Sequence, residues 1–168
     1  QIKSRDKNEV IKEAKHLLSL GYKEIVLTGI HTGSYEKDLD GYPFSSLVED
    51  LLELDDLYRL RISSIEESEI DDKLIELLKT NDKLAKHLHI PLQAGSDHVL
   101  KLMNRKYDLN YFYNKVKEIR SIRPEISITT DVIVGFPGET EEMFLRTIKT
   151  CRDLNLTKMH VFPYSLRK

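Results

Sequence analysis

The sequence predicts an α/β fold, a partial (β/α) barrel of TIM-like type with about five parallel strands and outer helices. Three observations carry that prediction. Apolar residues alternate along the whole chain between the 3.6-residue period of helices and the tighter period of strands. The β-rich runs begin near residues 24, 58, 87, 128 and 158, separations that suit right-handed crossovers between parallel neighbours. Glycine-containing and polar segments follow the strands, where a parallel barrel keeps its chemistry, and no dinucleotide glycine fingerprint marks an open doubly wound sheet. A closed eight-fold barrel takes about 250 residues. The 168 residues here make only part of one.

In chain order, residues 6–20 place Val10, Ala14, Leu17 and Leu18 on one helical face, and Gly21 stops that helix. Glu24-Ile-Val-Leu-Thr-Gly29 is a short β-branched run that reads as a buried strand. Phe44, Leu47, Val48, Leu51 and Leu52 recur at helical spacing. Across residues 58–64 the pattern alternates, with Leu60 and Ile62 on one side and Arg59 and Arg61 on the other. Leu74, Leu77 and Leu78 mark a helix whose start suits Asp71 and Asp72. A strand follows around His87-Leu-His-Ile90. Residues 96–103 read as a short helix that Ser96 or Asp97 could cap. Leu109, Phe112, Val116 and Ile119 form a longer one. The β-rich run 126–134 ends at Gly135, Pro137 and Gly138. Met143, Phe144, Ile148 and Cys151 line the last helix, and residues 158–162 form the last strand.

Composition excludes several classes. Lys and Arg total 26 against 28 Asp and Glu, a net charge of −2 without a global nucleic-acid signature. No apolar run approaches the roughly 18 residues that span a bilayer, and the first residues hold no apolar core of a secretory signal. A single cysteine, Cys151, forbids an intramolecular disulfide and any zinc site built from several thiolates. On the apolar face of its helix it reads as a buried structural thiol. The expected compartment is the cytoplasm. The opening on a charged helical pattern without an initiator Met is what a piece of a longer protein would show.

Five segments leave the strands toward one rim. Leu27-Thr-Gly-Ile-His-Thr-Gly-Ser-Tyr35 frees backbone at Gly29 and carries His31, which as a single histidine reads first as an ordinary loop residue. Ile62-Ser-Ser-Ile-Glu-Glu67 sets hydroxyls and carboxylates just past a strand, a pattern that also serves helix capping. His87-Leu-His-Ile-Pro-Leu-Gln93 puts Gln93 directly off a strand. His87 and His89 project to one side, but no acidic or cysteine ligand lies near them at metal spacing. Asp131-Val-Ile-Val-Gly-Phe-Pro-Gly-Glu-Thr140 opens a strand-to-helix turn whose backbone can lie against a flat ring or a phosphate. It lacks the Gly-Lys-Ser/Thr ending of a P-loop. His160-Val-Phe-Pro-Tyr-Ser165 closes the series with aromatic residues. Arg59, Arg61, Arg105, Lys106, Arg167 and Lys168 read as solvated charge before they read as an RNA surface.

These segments, together with Leu102-Met-Asn-Arg-Lys-Tyr107, resemble the radical S-adenosylmethionine methylthiotransferases in order and over essentially the whole chain. Within that family, Arg61-Ile-Ser-Ser-Ile-Glu66 and Gly29-Ile-His-Thr-Gly33 are similar to the branch acting on threonylcarbamoyladenosine. The resemblance implies reductive cleavage of S-adenosylmethionine at a 4Fe-4S cluster, a second 4Fe-4S cluster for sulfur chemistry, and 2-methylthiolation beside the anticodon of tRNA. It implies that residues 1–168 are a fragment of the radical domain, without the Cys-x-x-x-Cys-x-x-Cys loop, the first strand, the N-terminal domain and the RNA-gripping TRAM domain. Such a fragment is expected to be inactive, to hold no cluster, and to bind RNA weakly or not at all.

Carried over position by position, the resemblance places Thr28 and Gly29 at the strand end that meets the methionine amino group. Ser63, Ser64 and Glu66 fall on the next rim, facing methionine or ribose. Gln93 falls near the cofactor sugar or carboxylate, with Arg105 in the motif that follows. Val134 and Gly135 lay backbone against adenine, and Phe162 and Tyr164 line the same pocket. None is a confidently assigned acid or base, since the cofactor carries the chemistry. Two other readings remain open at this point: the isopentenyladenosine or ribosomal-protein branch, and a non-radical barrel lyase or isomerase using Glu66, His89 or Asp131 as acid or base. If the first barrel strand is absent, residues 24–29 form an open apolar edge that invites pairing with a second copy.

Overall fold

The computed structural model describes residues 4–29, 35 and 41–166. The fold is α/β, with five strands and six α-helices among the described residues. The chain divides into two compact units, Gln1–Leu88 and His89–Lys168. None of the described helices is long and apolar enough to cross a membrane.

In the first unit, helix α1 (Lys7–Ser19) starts where the Asp6 carboxylate accepts hydrogen bonds from the amides of Asn8 and Glu9. It ends in a Schellman turn. Gly21, at φ 93°, donates to Leu18 O, and Tyr22 donates to Leu17 O. Strand β1 (Glu24–Leu27) then pairs in parallel with β2 (Arg59–Ile62), Ile25 opposite Leu60 and Leu27 opposite Ile62. Between them runs α2 (Phe44–Leu52), whose Leu47, Val48, Leu51 and Leu52 are buried. Helix α3 (Asp72–Thr80) is capped by Asp71, which accepts from Leu74 N at 2.7 Å and from Ser45 Oγ at 2.6 Å. One carboxylate thereby starts α3 and ties it to α2. Leu84 makes a parallel bridge with Leu60. Arg59 and Arg61 fall on the face opposite Leu60 and Ile62, and both guanidiniums reach Glu24 on β1, at 3.4 and 3.0 Å. That pairing holds the Glu24 carboxyl below the usual range, chiefly through the hydrogen bond from Arg61.

A three-stranded sheet has the order β3 (His87–His89, at the boundary of the two units), β4 (Ser127–Val134), β5 (Lys158–Pro163), the last two within the second unit. Strand β5 lies parallel to β4, with Thr129 opposite Lys158, Asp131 opposite His160 and Ile133 opposite Phe162. Three helices accompany the sheet: α4 (Asp97–Leu102), α5 (Leu109–Ile122) and α6 (Glu141–Asp153). Ser96 occupies the cap position of α4 without a side-chain bond to it, while Asp97 accepts from Leu109 N at 2.8 Å and so joins α4 to the start of α5. Helices α4 and α6 both end in Schellman turns, with Asn104 at φ 58° and Asn155 at φ 46° where glycine is the usual choice. Arg120 on α5 donates to the carbonyls of Leu154 and Asn155, satisfying the end of α6.

The buried face of α6 differs from the one its hydrophobic spacing predicts. Thr147, Thr150 and Cys151 are buried, whereas Phe144 stays 37% exposed. The reason lies at Gly95. A methyl group there would sit 2.4 Å from the Thr147 Cα, so the loop touches the helix backbone and only small residues fit beneath it.

Candidate functional site

Alternation along β4 and β5 sorts the second sheet into two chemically distinct faces. Val132, Val134, Met159 and Val161 look toward α6, where they line an apolar cavity of about 500 Å³ together with Phe144, Ile148 and Cys151. Burial pushes the Cys151 thiol pKa up, which suits a structural thiol. The opposite face is polar. His89 Nδ1 lies 2.9 Å from Thr129 Oγ1, and its Nε2 lies 3.2 Å from Asp131 Oδ2. His160, cross-strand from Asp131, sets its ring edge-on to His89 with centroids 5.9 Å apart. Among the described residues no group of His, Cys, Asp or Glu is arranged to hold a metal ion.

The rim after β3 is built on buried hydrogen bonds. Thr130 is fully buried. Its hydroxyl donates to Ile90 O at 2.7 Å and accepts from Leu92 N at 2.8 Å, spanning Pro91, which has no amide to give. The Tyr107 hydroxyl lies 3.1 Å from Pro91 O and 2.9 Å from Leu92 O. Its ring packs with Phe136 against the buried cluster of Ala94, Val99 and Leu100. Gln93 sits at the end of this segment with φ 65°, a left-handed conformation uncommon outside glycine. Its amide donates to Asp131 O and its carbonyl accepts from Ile133 N, so the β4 ladder over-determines that conformation.

After β4, Phe136-Pro-Gly-Glu139 forms a turn of type II pattern: Glu139 N donates to Phe136 O, Pro137 precedes, and Gly138 has φ 89°. The Glu139 side chain folds back and accepts from Gly135 N at 2.6 Å, while its second oxygen is buried without a partner among the described residues. Val134 O accepts from Tyr164 N at 2.8 Å, and Tyr164 meets Phe136 edge-on at 5.0 Å. The Val134 side chain belongs to the apolar cavity, so only its backbone reaches the rim. Gly135, with φ 72°, has no atom within 4 Å of where a Cβ would stand. It therefore presents open, flat backbone. Phe162 and Tyr164 lie at the end of β5, Phe162 exposed and Tyr164 half-buried. Arg105 follows the end of α4, its amide closing that helix on Leu100 O.

The first unit's rim is made differently. Thr28 and Gly29 are exposed at the end of β1. Ser63 N donates to Leu27 O at 3.0 Å, carrying the β1–β2 ladder one step past β2. Glu66 and Glu69 form a capping box around the 3₁₀ turn Glu67–Glu69, so Glu66 fills the capping role that its segment also allowed. Ser64 is half-buried beside it. Residues 30–34, with His31, lie outside the described residues. Sequence reasoning missed Thr130, Thr147 and Glu139 as supports of the rim. A threonine inside a β-branched run looks like one more strand former, and only the register shows that its hydroxyl spans a proline.

A family profile described as the Radical SAM superfamily matches residues 1–151. The chain is 49% identical, over 99% of its length, to the threonylcarbamoyladenosine tRNA methylthiotransferase MtaB of Bacillus subtilis, of which it covers 37%. It is 41% identical over 98% of its length to a tRNA-2-methylthio-N(6)-dimethylallyladenosine synthase of Desulfitobacterium hafniense, again covering 37%. The chain thus spans a little over a third of the curated relatives it matches. Among solved structures, its fold is similar to coproporphyrinogen III oxidase HemN of Escherichia coli, described as a radical SAM enzyme. That match has a TM-score of 0.69 at 20% identity and covers 98% of this chain and 39% of that one.

Proposed function

The chain belongs to the radical SAM superfamily, and from that premise we propose that it is a segment of the radical domain of an enzyme that 2-methylthiolates threonylcarbamoyladenosine beside the anticodon of tRNA. The observation that carries this reading is the 49% identity, spread over 99% of the chain, with a relative named for that reaction. Relatives named for dimethylallyladenosine stand at 41% and 40% over similar spans. The expected partner is tRNA and the expected compartment the cytoplasm, with no membrane association.

S-adenosylmethionine, when bound, supplies the radical that activates a carbon of the substrate. On this reading the residues carried over from the resemblance serve it. Thr28 and Gly29 offer an exposed strand end for the methionine amino group, with Ser63, Ser64 and Glu66 on the adjoining rim. Gln93, whose backbone is fixed by its bonds to β4, would serve the sugar or carboxylate, with Arg105 in the motif that follows. Gly135 gives adenine a surface without a side chain, and Phe162 and Tyr164 exclude water from its edge. The backbone groups of the turn act as a frame here, since Val134 O and Gly135 N already have partners.

The cluster does not fit within these residues. A 4Fe-4S cluster is held by several thiolates, and the one cysteine of this chain is buried on α6. In the proposed parent enzyme the cluster thiolates would be supplied by residues other than these.

The test uses the longer protein that contains this chain, reconstituted anaerobically with iron and sulfide and incubated with tRNA, reductant and S-adenosylmethionine. Mass spectrometry of the tRNA nucleosides is expected to show 2-methylthio-threonylcarbamoyladenosine together with free 5′-deoxyadenosine. Methylthiolation of dimethylallyladenosine alone would overturn the assignment.

A further inference from the structure

We infer that His160 and Lys158, on the polar face of β5, form an anion-binding pair for a carboxylate on the substrate base. This rests on the proposed function, which makes the substrate an adenosine whose N6 arm is an acylated threonine ending in a carboxylate. A dimethylallyl arm carries no charge.

The placement comes from the register. Lys158, His160 and Phe162 alternate onto the same face of β5, opposite Thr129, Asp131 and Ile133 of β4. Every residue of β5 is exposed among the described residues. The His160 ring meets His89 edge-on, and its ring nitrogens make no hydrogen bond to the described residues. Lys158 likewise forms no ion pair among them. Lys158 and His160 are two residues apart on one strand, about 6.6 Å along the chain, a spacing that lets both donate to one carboxylate between them.

Among the described residues of this sheet, the charged and titratable groups that alternation puts on this face are Lys158 and His160 on β5, His87 and His89 on β3 and Asp131 on β4. Asp131 is the one acid among them, and it would oppose an incoming anion if left free. One of its oxygens is taken up by His89 Nε2 at 3.2 Å while His89 Nδ1 is tied to Thr129, and the Lys158 ammonium beside it on β5 offsets the charge that Asp131 keeps. His89 is thus a positioning residue that occupies Asp131 and buttresses the His160 ring. The His160 and Lys158 side chains on this face have no hydrogen-bond or ion-pair partner among the described residues, so their donors can serve a ligand.

The experiment measures binding of anticodon stem-loop RNAs to the longer, anaerobically reconstituted protein by fluorescence anisotropy. Three RNAs are compared: threonylcarbamoyladenosine, its methyl ester, and dimethylallyladenosine at the same position. The expected result is acid RNA bound at least tenfold tighter than ester. His160→Phe and Lys158→Gln should each pull that ratio toward one with ester affinity kept, and His160→Lys should restore it. Equal binding of acid and ester by the unaltered protein, or an undiminished ratio in His160→Phe, would overturn the anion pair. Nucleoside analysis separates the two levels. A protein that methylthiolates threonylcarbamoyladenosine yet ignores the ester substitution sinks the anion pair alone. One that modifies only the dimethylallyl RNA sinks the functional reading and the pair with it.

Discussion

The rims of the two units are built in opposite ways. In the second unit, residues 90–96 are all buried, and their backbone is fixed by side chains from elsewhere in the unit: Thr130 from β4, Tyr107 from the loop after α4, Thr147 from α6. In the first unit, Thr28 and Gly29 are exposed, and the neighbouring segment is held by a local capping box and one backbone bond from Ser63 to Leu27. Rigidity is stored in the second unit's rim. Long-range hydrogen bonds in a dry setting over-determine the Gln93 backbone, even in a left-handed conformation. Local caps leave a strand end that a ligand's own groups can complete.

If that contrast is right, breaking the second unit's supports costs stability as well as site geometry. Gly95→Ala should have the largest effect, because the new methyl group meets the Thr147 Cα at 2.4 Å. Overpacking against a backbone costs about 3 kcal/mol, read as a lower urea midpoint. Thr130→Val keeps the shape but strands Leu92 N and Ile90 O in a buried site, for a loss of about 2 kcal/mol. Thr130→Ser should recover most of it. Tyr107→Phe leaves Pro91 O and Leu92 O without their shared donor, a smaller loss of about 1 kcal/mol by the same measurement.

The smallest effect belongs to Cys151. Burial raises its folded pKa above the ordinary 9.0, so the folded state keeps a proton that the unfolded state gives up. Its contribution is complete below the unfolded value and is lost as pH rises toward the folded one. Unfolding midpoints should fall more steeply above about pH 9 in the unaltered protein than in Cys151→Ala.

Much of the fold was legible in the sequence. Strand starts expected near 24, 58, 87, 128 and 158 are observed at 24, 59, 87, 127 and 158, because β-branched runs bounded by glycine and charge are local signals. Asp71 as a helix cap and Gly21 as a stop were equally readable. Long-range placement was not. The buried face of α6 followed Thr147 because Gly95, fifty-two residues away, presses on it. The left-handed Gln93 depends on bonds to Asp131 and Ile133 that no local pattern announces. The His89–Asp131–His160 face needed the β4–β5 register, since alternation says which side a residue takes but not what stands opposite.

The proposed cofactor rim is tested most directly at Gly29. Gly29 is exposed at the end of β1, outside the buried core, so Gly29→Val changes access without emptying the interior. The measurement is equilibrium binding of S-adenosylmethionine, with 5′-deoxyadenosine formation beside it, in the reconstituted longer protein. Gly29→Val should lose both while its far-ultraviolet circular dichroism and urea midpoint match the unaltered protein. Unchanged cofactor affinity and unchanged 5′-deoxyadenosine formation in a folded Gly29→Val protein would contradict it.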